Sequence, residues 1–153
     1  MIRPYQPADC EAVLRVWARA SAVAHPFLSA GFLELERHNI PSVYLPNAET
    51  WVWEVREQVV GFISLLGNEV GALFVDPEFH GQGIGRALMD RASTLRGELE
   101  VEVFERNLPG RAFYERLGFE LMHQKVHEQT GFDVMRLRLA ADNPLHPTGQ
   151  GGG

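Results

Sequence analysis

The stretch Ala72-Leu73-Phe74-Val75-Asp76-Pro77-Glu78-Phe79-His80-Gly81-Gln82-Gly83-Ile84-Gly85-Arg86-Ala87-Leu88 reads as a strand, a glycine loop and the start of a helix. Glycines at 81, 83 and 85 let backbone N–H groups approach a ligand with no side chain in the way, and a helix start adds roughly half a positive charge. Phosphate oxygens suit such a place. Glycines at alternate positions are not the Gly-x-Gly-x-x-Gly of a dinucleotide fold, and no Gly-Lys-Ser/Thr ending marks a nucleotide triphosphatase loop, so both of those readings fall. The plain alternative is a glycine loop that only turns the chain.

Other residues could do chemistry but do not declare it. By type alone Tyr114 is a core aromatic on a short helix, and Asn107 is a turn residue. Four side chains could serve as a general base, directly or through water: Glu54, Glu69, Glu102 and His25. Each reads first as a solvated charge or a local cap and only second as a base. No His/Cys/carboxylate spacing matches a metal site, and His123 and His127 stand at i, i+4 on a predicted strand. Cys10 is the only cysteine, which excludes an internal disulfide framework, and it reads as a buried, inert thiol in a reducing compartment.

The 153 residues suit one domain, and 45% of them are apolar and 22% charged, a globular composition. With 14 Lys plus Arg against 20 Asp plus Glu, the net charge of −6 opposes binding to a phosphate backbone, so no nucleic-acid partner is expected. No apolar run approaches the roughly 20 residues that span a bilayer, so no membrane partner is expected either. Met1-Ile2-Arg3-Pro4 reads as a Pro-interrupted strand rather than a signal sequence, and the expected location is cytoplasmic.

The elements that must position these residues follow from periodicity. Val13, Val16, Trp17 and Ala20 fall at i, i+3, i+4 and i+7 behind Asp9, which predicts a capped amphipathic helix over about 9–22 that exposes Arg15 and Arg19. A shorter helix is expected at 29–38, then an irregular arm broken by Pro41 and Pro46. The segments 51–55 and 59–66 read as a hairpin, 70–75 as a third strand, and 84–97 as a helix with Ile84, Leu88, Ala92 and Leu95 on its stripe. Residues 98–103 alternate strictly as a strand, 109–117 form a short helix, and strands near 119–127 and 132–139 close the chain. With a short first strand at Ile2-Arg3, this order predicts an α/β (α+β) sheet covered by helices. The domain is expected to span 1–141, with a flexible, glycine-rich tail at 142–153.

The glycine segment resembles the acyl-coenzyme A site of the GNAT superfamily of N-acetyltransferases, whose pattern is Arg/Gln-x-x-Gly-x-Gly/Ala. His80, Gly83 and Gly85 stand at its three fixed positions, with His80 a departure from Arg or Gln. Residues Asn107 to Phe119 resemble the family's Asn-x-x-Ala-x-x-Phe-Tyr-x-x-x-Gly-Phe block with one residue inserted between Asn107 and Ala112. The segment His25-Pro26-Phe27-Leu28-Ser29-Ala30 further resembles the bacterial YjaB-like subgroup. The resemblance implies a mixed, mostly antiparallel sheet of six to seven strands flanked by about four helices. It also implies an acetyl-CoA-dependent acyltransferase that moves the acetyl group to a primary amine, on a small molecule or a peptide, by direct attack.

In that reading the cofactor's pyrophosphate lies on His80, Gly81, Gln82, Gly83, Ile84, Gly85 and Arg86, where Arg86 is equally readable as helix-surface charge. Phe74 and Val75 offer backbone to the pantetheine arm at a bulged third strand, and Asn107 meets the pantetheine amides. Tyr114 is the implied catalytic residue, assisting the departing thiolate. The acceptor pocket is expected between the N-terminal helices and their connection, with His25, Phe27 and Trp53 as its contacts. Two rivals stay open: an acyl-CoA sensor without turnover, and acetylation of charged transfer RNA, which the acidic charge disfavours. The acceptor's identity, the proton-taking residue and a homodimer also stay open.

Overall fold

The computed structural model describes residues 1–141; the tail expected at 142–153 lies outside the described residues. Strands β1 (Ile2–Pro4), β2 (Glu49–Val55), β3 (Gln58–Leu66), β4 (Glu69–Val75), β5 (Leu99–Phe104), β6 (Glu120–Val126) and β7 (Asp133–Leu139) form one sheet in the order β1-β2-β3-β4-β5-β7-β6. Helices α1 (Cys10–Ala24), α2 (Ala30–Asn39), α3 (Ile84–Arg96) and α4 (Leu108–Leu117) cover it. Every pairing is antiparallel except β4 with β5.

That exception shapes the molecule. The parallel pair is joined only at Glu69 with Glu100 and Val70 with Val101, after which the two strands part. The bulge lies at Gly71, the extra residue between Val70 and Ala72 opposite Leu65 and Ser64 of β3. The resemblance placed it at Phe74 and Val75; these remain paired with Phe62 and Gly61 of β3 and lie beyond the last contact with β5. A bulge bends its strand and sharpens its twist, so Gly71 turns the far half of β4 away from β5.

The two faces of the sheet bury separate cores. On one, α3 and α4 cover Ile63, Leu65, Leu88, Met89, Leu99, Val101 and Leu117; on the other, α1 lays Val13, Val16 and Trp17 over Val52 and Phe62. The expected stripe of α1 is buried as predicted, including Ala20. On α3 the stripe turns one position, so that Met89 is buried and Leu95 is 39% exposed. In β5, Leu99, Val101 and Val103 face the α3 core while Glu100 and Glu102 alternate to the other side.

Asp9 does not cap α1 with its side chain. Its carboxylate accepts from Arg3 Nη1 and Nη2 at 2.8 and 2.9 Å and from the Gln6 N–H at 2.8 Å, which ties the first strand to the helix start. The arm after α2 is not irregular: the chain continues in a wide helical turn at Ile40–Tyr44 and a tight one at Leu45–Asn47. Pro41 and Pro46 both fall in the first positions of those turns, where a missing N–H costs nothing.

Candidate active site

The glycine loop opens outward at the end of β4. Gly81 and Gly83 have φ of +81° and +82°, and a Cβ built on either would meet no atom within 4 Å. The left-handed backbone is what favours glycine, and the absence of side chains leaves the neighbouring space clear. Gly83 is also the cap of α3 and offers no side chain to the first N–H groups of the helix, which have no earlier helical turn to bond. This is a cradle of backbone donors at the positive end of a helix dipole, and it fits the pyrophosphate of coenzyme A.

The residues of the motif divide their work. Ile84 is 4% exposed and its side chain belongs to the α3 core, so only its backbone can face a ligand. Gly85 is helical, and a Cβ there would stand 3.3 Å from the Phe113 ring of α4, so its bareness serves helix packing. His80 folds back over its own loop, with Nε2 donating to the Val75 carbonyl oxygen at 2.9 Å. The side chain that departs from the family pattern thus holds the end of β4. Asp76 secures the same corner: it accepts from the Glu78 N–H at 2.9 Å and from Arg19 of α1 at 3.0 Å. Gln82 is exposed and Arg86 half-buried on the loop's outer side.

Where β4 and β5 part, a cavity of about 350 Å³ reaches through the sheet. Trp17, Ser21, His25 and Phe32 of the α1 and α2 region line it together with Asn107 and Tyr114 of the α4 segment. Tyr114 is 8% exposed and held edge-on by Phe113 and Phe119, each with ring centroid at 5.4 Å. Its hydroxyl has no hydrogen-bond partner among the described residues. Burial pushes its pKa well above the ordinary tyrosine value, so it keeps its proton at any physiological pH.

Asn107 caps α4, its Oδ1 accepting from the Gly110 N–H at 3.0 Å. A Cβ at Gly110 would collide with the Asn107 amide and so displace it from this cap. With Oδ1 committed, the amide Nδ2 faces His25 Nε2 at 3.5 Å, and the neutral imidazole then carries its proton on Nδ1. The His25 ring lies against the edges or faces of Phe27, Phe74 and Phe104 at 5.9, 6.3 and 5.4 Å. Burial in that aromatic setting pushes its pKa down to about 4, so it is neutral at pH 7.

The structure sorts the remaining expected site residues. Trp53 is not in the cavity: it pairs with Ile2 and Gly61 and packs against the α3-side core, on the opposite face of the sheet from His25. Phe27 stacks edge-on with His25, Phe104 and Phe132 beside the cavity. Glu54 is removed from the chemistry, because its carboxylate is bonded to Arg3 at 2.6 Å and lies outside the cavity wall. Glu69 and Glu102 line the cavity, partnered by Arg136 at 3.1 Å and Lys125 at 3.6 Å. Phe74 lines it as well, whereas Val75 packs towards the α3 core.

Phe32, Glu36, Phe104, His127 and Ser21 also line the cavity. Among these, only Ser21 carried a readable signal, as a polar residue one turn from Trp17 and one turn from His25 on the buried stripe of α1. Among the described residues no three His, Cys, Asp or Glu side chains group to hold a metal ion, and no helix is long and apolar enough to cross a membrane.

Comparison with known proteins agrees with this geometry. Residues 46–121 match the model of the acetyltransferase (GNAT) domain. The chain is 35% identical over 134 residues to the peptidyl-lysine N-acetyltransferase YiaC of Escherichia coli, covering 85% of this chain and 90% of that protein. It is 34% identical over 140 residues to the peptidyl-lysine N-acetyltransferase YjaB of the same organism, covering 91% and 95%. The solution structure of apo YjaB from Escherichia coli superposes with a TM-score of 0.81 at 32% identity, over 90% of this chain and 95% of that one. The PaiA N-acetyltransferase of Thermoplasma acidophilum in complex with coenzyme A shares the fold, with a TM-score of 0.71 at 19% identity over 89% of this chain and 96% of the other.

Proposed function

The chain belongs to the GNAT acetyltransferase family, whose members move an acetyl group from acetyl-CoA to an amine, and from that premise we propose that its acceptor is the side-chain amine of a lysine in a peptide or protein. The observation that carries this reading is the cavity through the split sheet. It brings Tyr114 on the α4 side and Ser21 and His25 on the α1 side to one space with apolar walls and carboxylates Glu36, Glu69 and Glu102. A lysine has the matching build, an apolar stem and a cationic end. Two relatives are named for peptidyl-lysine acetylation, which supports the same class.

Bound acetyl-CoA supplies an activated thioester. The cradle of Gly81 to Arg86 binds its phosphates through backbone N–H groups, and the backbone of Phe74 and Val75, with Asn107, borders the path of its pantetheine arm. Tyr114 donates a hydrogen bond to the sulfur as negative charge develops there. Complete proton transfer is not needed; at reference pKa values of about 10 and 8.5 it would be uphill by roughly 2 kcal/mol, and burial of Tyr114 makes it costlier.

His25 reports how the cavity treats the amine. The burial that lowers the imidazole pKa from 6.5 to about 4 penalises any positive charge placed beside it, a lysine ammonium included. The carboxylates Glu69 and Glu102 attract the ammonium, and the apolar interior favours its neutral, nucleophilic form. The proton leaves to water or to those carboxylates. His25, backed edge-on by Phe27, then acts as a wall for the lysine stem rather than as a stoichiometric proton acceptor. A panel of lysine peptides, free amino acids and small amines, followed by thiol release from acetyl-CoA, tests the acceptor class. Lysine peptides should outpace the rest; turnover confined to a small amine would overturn this reading.

A further inference from the structure

The hydroxyl and carboxyl groups of the cavity are almost all engaged. Ser64 pairs with Thr50 at 2.8 Å, and Tyr44 donates to Glu36 at 2.9 Å. Glu69 and Glu102 have their cations. Among the described residues, two hydroxyls of the lining have no protein partner. One is Tyr114, on the side of the departing thiolate. The other is Ser21, a residue 2% exposed whose Oγ is shielded from bulk water and bonded to nothing.

A buried hydroxyl left without a hydrogen bond costs stability, and a serine inside a helix ordinarily avoids that cost by bonding the carbonyl one turn back. Ser21 does not. Its neighbours at i−4 and i+4 are Trp17 and His25, so the hydroxyl sits in the middle of the α1 stripe that lines the cavity. We infer that Ser21 holds the acceptor amine, its Oγ accepting an N–H from the incoming nitrogen. The inference rests on the reading that this cavity takes the acceptor.

The chemistry favours a hydroxyl at this place over the other polar side chains. A carboxylate can draw in the ammonium and take its proton, but the group that holds the neutral amine during attack is better uncharged. An oxygen that accepts an N–H leaves the nitrogen lone pair available for the carbonyl carbon, whereas a donor aimed at the nitrogen would occupy it. Serine supplies that acceptor without charge, in a setting that already keeps His25 neutral.

The test is steady-state kinetics of Ser21→Ala and the volume-matched Ser21→Cys, with each substrate varied in turn and melting temperatures recorded alongside. Both variants should raise the acceptor KM about five- to tenfold, the effect of one lost hydrogen bond, and leave the acetyl-CoA KM within about twofold. Ser21→Ala should melt no lower than wild type, because the hydroxyl has no partner in the free protein. An unchanged acceptor KM overturns the inference. So does a lowered melting temperature with both KM values raised together, which would make Ser21 a structural residue. The kinetics use whichever amine wild type acetylates, so failure of lysine peptides in wild type sinks the acceptor class while the variant ratio still judges Ser21. Wild type that acetylates no amine at all overturns both.

Discussion

Gly83 and Gly85 stand two residues apart in one motif, and the structure gives them separable roles that a pair of alanine substitutions should expose. At Gly83 an added methyl meets no atom within 4 Å, but the backbone holds φ at +82°. Gly83→Ala therefore loses only the cost of left-handed backbone, about 1–2 kcal/mol. In a chain of this size that lowers the melting temperature by about 2–8 °C. Saturation of wild type at about a hundred times Kd should add about 2.7 kcal/mol, or roughly 5–11 °C on the same scale. If the proposed cradle holds the pyrophosphate, the methyl of Gly83→Ala enters open space that the phosphates would occupy. If affinity falls a hundredfold, the same ligand concentration leaves only about 0.4 kcal/mol of stabilisation. Gly85→Ala behaves differently: its backbone is helical, and its methyl would press on Phe113 Cε1 and Cζ at 3.3 Å. The loss is at the low end of overpacking, about 1 kcal/mol, as befits a position where the resembled pattern admits alanine, and the cofactor shift survives. Thermal melts of the three proteins with and without acetyl-CoA decide the matter. A full cofactor shift in Gly83→Ala would refute the cradle, and its loss in Gly85→Ala alone would refute the division of roles.

Tyr114→Phe should bind acetyl-CoA normally, keep its stability, and slow single-turnover transfer by about 10²- to 10⁴-fold; a rate within about twofold of wild type would reduce Tyr114 to packing. For His25, the folded-state pKa of about 4 lies below the ordinary 6.5, so its contribution to stability is whole above pH 6.5 and is lost as pH falls towards 4. Denaturant unfolding at pH 7 and 4.5 should show His25→Phe losing less stability than wild type, by up to roughly 3 kcal/mol, and equal losses would contradict the burial argument. His80→Gln retains a donor for the Val75 carbonyl oxygen and should preserve the acetyl-CoA KM, whereas His80→Phe should raise it about two- to tenfold; equal values in the two variants would separate His80 from the strand end.

The glycine loop between strand and helix was legible because its signal is local. Glycines at 81, 83 and 85 next to a strand and a helix can be read from one short window, and so could the stripe of α1 and the alternation of β5. What was not legible depends on contacts far apart in sequence. The split between β4 and β5 follows from a parallel pairing of Glu69 with Glu100 and Val70 with Val101 that no local pattern announces. Trp53 was assigned to the wrong face because β2 is covered on both sides: Val52 packs under α1 while Trp51 and Trp53 pack towards α3, so alternation of aromatic and aliphatic residues does not say which side is which. Glu54 could be dismissed as a proton acceptor only once Arg3 was found beside it. Asp9 had the right type and position for a helix cap, yet the same guanidinium drew its carboxylate away.

The central claim is that one cavity through the split sheet delivers an amine to a thioester held on the glycine cradle. Its most direct test is to incubate the protein with acetyl-CoA and a lysine peptide, measuring thiol released and acetyl-lysine formed in the same sample. Equal amounts of the two products, with both strongly reduced in Gly83→Ala at acetyl-CoA concentrations below its raised Kd and strongly slowed in Tyr114→Phe, are the predicted result. Tight acetyl-CoA binding with no amide formed on any amine offered would contradict the account and leave a sensor of acyl-CoA in its place.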